Sequence, residues 1–548
     1  MRNPSQIDAI AEAHVDALVT HQPENATYLG LPGREDRLSD HGLESVGRWA
    51  EHLRGVLGQL ESTEAVDDVD RVTKAAMQER LGLELESIEA GDHLSGVNNI
   101  DCPLTWTRDL FDLMSSETDE DWANIAARMG AVPQAFQSWV ETLRHGIATG
   151  NVPARRAALD AAGQARDLAG DGGRFQQLVA ASGREGALQA DIERAARSAR
   201  EGAAELAAFL HDELAPVARE ADGVGRERYE RASREFLGAR IDLDETYEWG
   251  VESLARITAE QEQLAKEICG GTLAEAIEQL NSDPANVIHG VDALKAWLQT
   301  TADEAIEALD GKYFTLDPRV RRVEGMIAPS ATGGIYYTGP SSDFSRPGRM
   351  WWSVPEGVTE FTTWQEKTTV YHEGVPGHHL QVGQAVAQGE RLNRWRSLVC
   401  WVSGHGEGWA LYSERLMDSF GFLNPAERLG MLDAQRLRAT RVVLDLGIHL
   451  GKPALAAYGQ GTWDYESCYR LLRENVAMEE NQLRFELHRY LGWPGQAPSY
   501  LIGQRIWQQL RDAAAERGGA GFDLRDFHDR ALAVGSLPLD VLREVLAG

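Results

Sequence analysis

A mostly α-helical fold with one small sheet is predicted by three observations. Over the first 225 residues, apolar positions recur at helical spacing among good helix formers. β-Branched and aromatic runs bounded by Gly and Pro are confined to 315–354, and helical periodicity then returns to the end of the chain.

Taken in order, Ile7, Ile10, Ala11, His14, Val15 and Leu18 mark the first helix. Segments rich in Ala, Leu, Glu and Arg predict helices around 122–145, 155–170 and 188–218. The breaks at 30–33, 98–103, 150–153 and 170–173 carry Gly, Pro, Asp or Asn, as loops between packed helices do. A fresh helical run starts after Gly225. It divides the chain into a helical N-terminal region, 1–225, and a catalytic, zinc-binding region, 226–548, although the two could equally form one continuous unit. The runs FTLDPRVRRVEGM, GGIYYTGP and RMWWSV predict the sheet, and the following helices are expected at 363–373, 392–420, 425–449, 464–490 and 499–517.

With 54 basic against 85 acidic residues among 548, the formal charge is −31. Phosphate backbones and anionic lipid surfaces are repelled by such an exterior, so neither nucleic acid nor membrane is expected as a partner. No stretch reaches the roughly 18 apolar residues of a membrane-spanning helix, and the first 25 residues place His, Asp and Glu where the apolar core of a secretory leader would lie. A cytoplasmic protein is expected. Cys102, Cys269, Cys400 and Cys468 match no thiolate metal spacing, and reduced, mostly buried thiols are expected.

Chemistry concentrates in TTVYHEGVPGHHLQ, where His372 and Glu373 precede His378 and His379. Two His one helical turn apart, with a Glu beside the first, form the H-E-x-x-H zinc arrangement. Here Pro376 occupies the place of the second His, and its ring would clash with the carbonyl of His372, so the helix must open. In an unbroken helix His378 would be rotated about 240° from His372 and displaced about 9 Å, whereas a Pro-Gly bulge brings the two imidazoles together. His379, in phase with His372 but about 10 Å along the axis, is the fallback ligand.

A catalytic zinc site needs a third protein ligand. Glu407, in the helical run SGHGEGWALYSERLMDSFG, is the choice, with Glu414 seven residues on and on the same face. One of the pair can bind metal while the other orients a ligating His through its free ring N–H. His405 is an outside candidate. Any one of these residues alone would ordinarily be structural or solvated; their clustering points to metal.

YHEGVPGHHLQ, EGWALYSERL, TRVVLDLGIH and WPGQAPSYLIG, with the weaker YYTGPSSDFSRPG ahead of them, resemble the bacterial proteins classed as domain of unknown function 885, which look like gluzincin-type zinc metallopeptidases. The resemblance covers much of the chain and is loose over the first 220 residues. It implies a two-lobed helical fold with a deep central cleft, and it supports His378 over His379 and Glu407 as third ligand. It also suits two further assignments. The sheet edge at 334–338, with Tyr337 in it, could pair with an extended substrate, and Tyr500 could hydrogen-bond the oxyanion. For a substrate's terminal carboxylate the candidates are Arg346, Arg441, Arg489 and Arg505, since Arg binds carboxylates with paired hydrogen bonds. His449 and His488 could assist the transition state or simply pack.

The expected activity is zinc-dependent cleavage of amide bonds in short peptides or N-acyl amino acids, in the manner of a carboxypeptidase or dipeptidase. Zn²⁺ on His372, His378 and Glu407 would acidify a water and Glu373 would take its proton. The rivals are a zinc amidase or esterase acting on a non-peptide metabolite, and a catalytically silent peptide-binding protein. The silent reading would sit better with loss of the Glu beside the first His, and Glu373 is present.

Overall fold

A computed structural model describes residues 2–328, 334–389 and 391–547. The protein is mostly helical, as its sequence predicts. The first helix, Gln6–His21, starts at a reciprocal cap in which Ser5 Oγ accepts from the Asp8 N–H at 3.1 Å and the Asp8 carboxylate accepts from the Ser5 N–H at 2.9 Å. Helices Asp119–Thr149, Arg155–Ala169 and Gly186–Ala208 fall on the Ala-rich runs.

The expected sheet has three strands. Gly348–Trp352 is central, parallel to Val323–Ile327 on one side and antiparallel to Ile335–Thr338 on the other. Gly333, at the head of the GGIYYTGP run, lies outside the described residues. A second pairing, Val287–His289 with Glu360–Thr362, runs straight into helix Thr363–Glu373, which carries His372. Its three-residue strands are too short to show an alternation.

Two expected helices are divided. The 392–420 run holds a π-helical turn, Trp395–Val399, then a non-helical link at 400–402, then helix Ser403–Ser419. Trp401 in the link folds back over the first turn of the helix, where its ring takes the place of a Cβ on Gly406. The 464–490 run divides into Tyr465–Asn475 and Glu480–Gly492, and Asn475 at the break is held by Arg436 from another helix.

Buried apolar side chains form two clusters. Residues from Ile7 to Leu81 share one with residues from Tyr229 to Leu546, whereas residues between Val97 and Ala215 build the other. The 1–225 segment therefore contributes to both.

Within the larger cluster, helices Ser403–Ser419 and Ser499–Gly518 touch backbone to backbone. A Cβ on Gly503 would overlap the Gly404 carbonyl oxygen and lie 2.9 Å from Gly408 Cα, and Ser403 and Ser499 hydroxyls bond at 2.9 Å beside it. This contact sets Glu407 against Tyr500. Gly503→Ala is expected to lower unfolding free energy by about 1–3 kcal/mol, the usual cost of overpacking. Gly47→Ala, with nothing within 4 Å of its added Cβ in helix Leu43–Ser62, should instead gain up to ~1 kcal/mol from helix propensity. Paired denaturant titrations of the two variants check both signs.

Among the described residues no helix is long and apolar enough to cross a membrane. A cavity of about 560 Å³ opens between the N-terminal helices, helix Arg226–Leu237 and 492–494, walled by Trp49, Trp106, Trp139 and Trp493, and none of the chemistry-bearing residues above lines it.

Candidate metal centre

Helix Thr363–Glu373 ends where the sequence requires it to end, but its continuation is a new helix rather than a bulge in the old one. Residues 374–377 turn the chain and His378 opens helix His378–Ala387. Gly377 sits on the last carbonyls of the first helix: a Cβ there would overlap His372 O and Tyr371 O, so only glycine permits the turn to fold this tightly. The Pro376 carbonyl accepts from Trp409 Nε1 at 2.8 Å and from Ser413 Oγ at 3.2 Å, both on helix Ser403–Ser419. The helix that carries Glu407 thus also clamps the turn that places His378.

His372, His378 and Glu407 converge so that one donor atom from each lies within 4.8 Å of the others, a group that could hold a metal ion. Glu407 Oε2 is 3.2 Å from His372 Nε2 and 3.4 Å from His378 Nε2. With zinc–ligand bonds of about 2.0–2.1 Å, adjacent donors of a tetrahedral site stand about 3.3 Å apart, so two of the three edges already have the required length. The imidazoles meet edge to face, with centroids 4.9 Å apart. His378 Nδ1 is buried without a partner.

Glu414 takes the role of orienting carboxylate. Its Oε1 accepts from His372 Nδ1 at 2.8 Å and its Oε2 accepts from Thr368 Oγ1 at 2.6 Å, which turns His372 Nε2 toward Glu407. Burial alone would strip the proton from His372, but hydrogen bonds to Glu407 and Glu414 hold its pKa up at about 10. Burial pushes Glu407 up and the charges of His378 and His372 pull it well below the usual carboxylate range. The two carboxylates thus hold positive charge on His372. Glu373 is buried beside it; desolvation raises its pKa, against the attraction of His372 and His378.

His379 lies outside this group. Its Nε2 donates to Val320 O at 2.7 Å, so its Nδ1 is the acceptor for the Tyr337 hydroxyl at 3.0 Å, and burial depresses its pKa to about 4. A Cβ on Gly348 would overlap both side chains. Tyr337 therefore has its hydroxyl committed to His379, although its strand remains at the sheet edge. His405 is also elsewhere: Gln381 Nε2 donates to its Nδ1 at 3.1 Å, and its ring packs edge-on to Trp507.

The arginines separate sharply. Arg441 and Arg489 both pair with Glu486, at 3.0 and 3.2 Å, and Arg441 Nε donates to the Tyr490 hydroxyl at 2.7 Å. Arg505 pairs with Glu245. Arg346 makes no such pair and lies near Tyr337, with one long hydrogen bond of 3.4 Å to Pro347 O. His449 Nε2 donates to the Tyr490 carbonyl at 3.0 Å and its ring stacks on Tyr229; His488 pairs with Asp160 at 2.7 Å. Both histidines serve packing.

Tyr500 is buried within the field of Glu407; desolvation and then that carboxylate raise its pKa. Two guanidinium groups stand near its ring, Arg441 at 5.3 Å and Arg438 at 6.0 Å from the centroid. Arg438 is a site residue that the motifs do not single out, and so is Trp401, 51% exposed with its ring 6.5 Å from His378. The i, i+3 spacing of Arg438 and Arg441 on helix Pro425–His449 is the one signal that could have drawn attention to the former.

A model of the family described as "Bacterial protein of unknown function (DUF885)" matches residues 23–546. No curated protein matches the chain. A "putative lipoprotein" from Colwellia psychrerythraea has the same fold, with a TM-score of 0.83 and 21% identity over 99% of this chain and 98% of that one. A "putative lipoprotein of unknown function" from Shewanella oneidensis superposes with a TM-score of 0.76 and 18% identity over the whole of both chains. These descriptions overturn the cytoplasmic placement expected from hydropathy.

Proposed function

The chain belongs to the DUF885 family of bacterial proteins of unknown function, and from that premise we propose that it is a zinc-dependent hydrolase of amide bonds in short peptides or N-acyl amino acids. The observation that carries this reading is the convergence of two imidazoles and one carboxylate at tetrahedral-edge spacing, with a second carboxylate, Glu373, buried beside them. Two N and one O donor are a common catalytic zinc set that leaves a position open. Bound there, zinc supplies Lewis-acid polarisation of a carbonyl and lowers the pKa of water to about 7.

The protein's own groups supply the rest. Glu373 takes the proton of the attacking water and returns it to the leaving amine. Tyr500, kept protonated by burial, offers its O–H to the oxygen of the carbonyl under attack. Glu414, tied down by Thr368, holds the Nδ1 hydrogen of His372, so that Nε2 is the nitrogen that would give up its proton to take the metal.

Elemental analysis of the purified protein, combined with a mass-spectrometric screen against dipeptides, longer peptides and acylated amino acids, tests the reading. Zinc near one equivalent and products cut at an amide are expected. A protein that takes up no zinc and cleaves nothing would refute it.

The two acids on helix Ser403–Ser419 are separable. Losing Glu407 removes a ligand, whereas losing Glu414 removes only an orienting hydrogen bond, a change that typically costs about 10- to 100-fold in affinity. Zinc titrations against a competing chelator should rank Glu407→Ala far below Glu414→Ala; the reverse order would exchange their roles.

A further inference from the structure

A peptidase that works from the C-terminus must hold a carboxylate one residue from the scissile bond. We infer that Arg438 is the residue that does so, which makes the substrates of this site molecules with a free carboxylate on the residue next to the bond cut. The inference rests on the hydrolase reading above and deepens it.

Three of the four arginines suggested by the sequence already have a carboxylate partner: Glu486 for Arg441 and Arg489, Glu245 for Arg505. Arg438 forms no ion pair with a described carboxylate. Its Nη1 donates to the Ala434 carbonyl one turn back at 3.2 Å, and its Nε is buried with no partner at all. A buried, unsatisfied donor on a cation is costly, and a bound anion would relieve it. Asp433, the acid near it on the same helix, also faces Arg436.

The position is as telling as the missing partner. The Arg438 guanidinium lies 6.0 Å from the Tyr500 ring, and Tyr500 stands against Glu407 through the Gly404–Gly503 helix contact. One residue of extended chain spans about 3.5 Å. A substrate whose carbonyl oxygen meets Tyr500 would carry the α-carboxylate of its next residue toward the neighbouring Arg438. Arg346, the one of those four sequence candidates that pairs with no described carboxylate, lies by Tyr337 on the sheet side.

Isothermal titration of the full chain with N-acetylphenylalanine and with N-acetylphenylalaninamide tests this, because the two probes differ only at the carboxylate. Wild-type protein should bind the acid about 10- to 100-fold more tightly, the range of a charge-assisted hydrogen-bond pair. Arg438→Gln should abolish the preference, Arg438→Lys should keep part of it, and Arg346→Gln should leave it intact, with melting temperatures confirming that each variant is folded. A preference that survives Arg438→Gln, one that disappears in Arg346→Gln instead, or a wild type that binds both probes alike or neither at millimolar concentration overturns the assignment. An Arg438-dependent preference in a protein that neither holds zinc nor cleaves peptides would preserve the anion site and remove the hydrolase.

Discussion

His378→Ala is expected to yield a folded protein that retains almost no zinc, while His379→Ala keeps it. The two residues are adjacent in sequence and both are buried, so composition and exposure do not distinguish them. Their hydrogen bonds do. His378 Nε2 faces Glu407 at 3.4 Å and its other nitrogen is free, whereas both nitrogens of His379 are occupied by Val320 O and Tyr337. Removing one of three ligands should cost well beyond the roughly 10- to 100-fold that outer groups are worth. His379→Ala should instead lose about 1–3 kcal/mol of stability, since it strands the Tyr337 hydroxyl and the Val320 carbonyl. Metal content by elemental analysis and melting curves on both variants give the comparison, and retention of zinc by His378→Ala would refute the ligand set.

Glu373→Gln should hold zinc at the parent level and lose about 10²- to 10⁴-fold in turnover, the span that a general base contributes. The amide has nearly the same shape, so the buried pocket next to His372 is kept, but it cannot accept the proton of water. Steady-state rates on whichever substrate the mass-spectrometric screen returns supply the test. Turnover within a few fold of wild type would mean that the base is another group.

Much of this site was legible before any coordinates. Pro376 forbids a continuous helix by geometry alone, and once the helix must break, the in-phase His379 loses its advantage over His378. Glu407 and Glu414 fall on one face by spacing alone, and they approach His372 from its two nitrogens. The arginines were not legible in this way. Whether Arg441 or Arg505 is free depends on Glu486 and Glu245, which lie 45 and 260 positions away and meet them only in the folded chain. The same limit applied to the helices. Periodicity placed the long ones well, but Asn475 at one break is held by Arg436, 39 positions away, a contact with no local signature. Strands of three residues were missed because they are shorter than the pattern that would reveal them.

The partition of the buried side chains also sets a timetable for synthesis. Ile7 and Leu53 are made long before Leu542 and Leu546, which belong to the same cluster. At about 5–20 residues per second, the ribosome takes roughly half a minute to two minutes to deliver those partners. The 97–215 helices have all their cluster partners within that stretch and can condense while the rest is still being made. The early helices must wait with their apolar faces uncovered. Nascent chains of this protein should therefore depend on holding chaperones chiefly through their first 81 residues, and the metal site, whose Tyr500 comes so late, assembles only at the end.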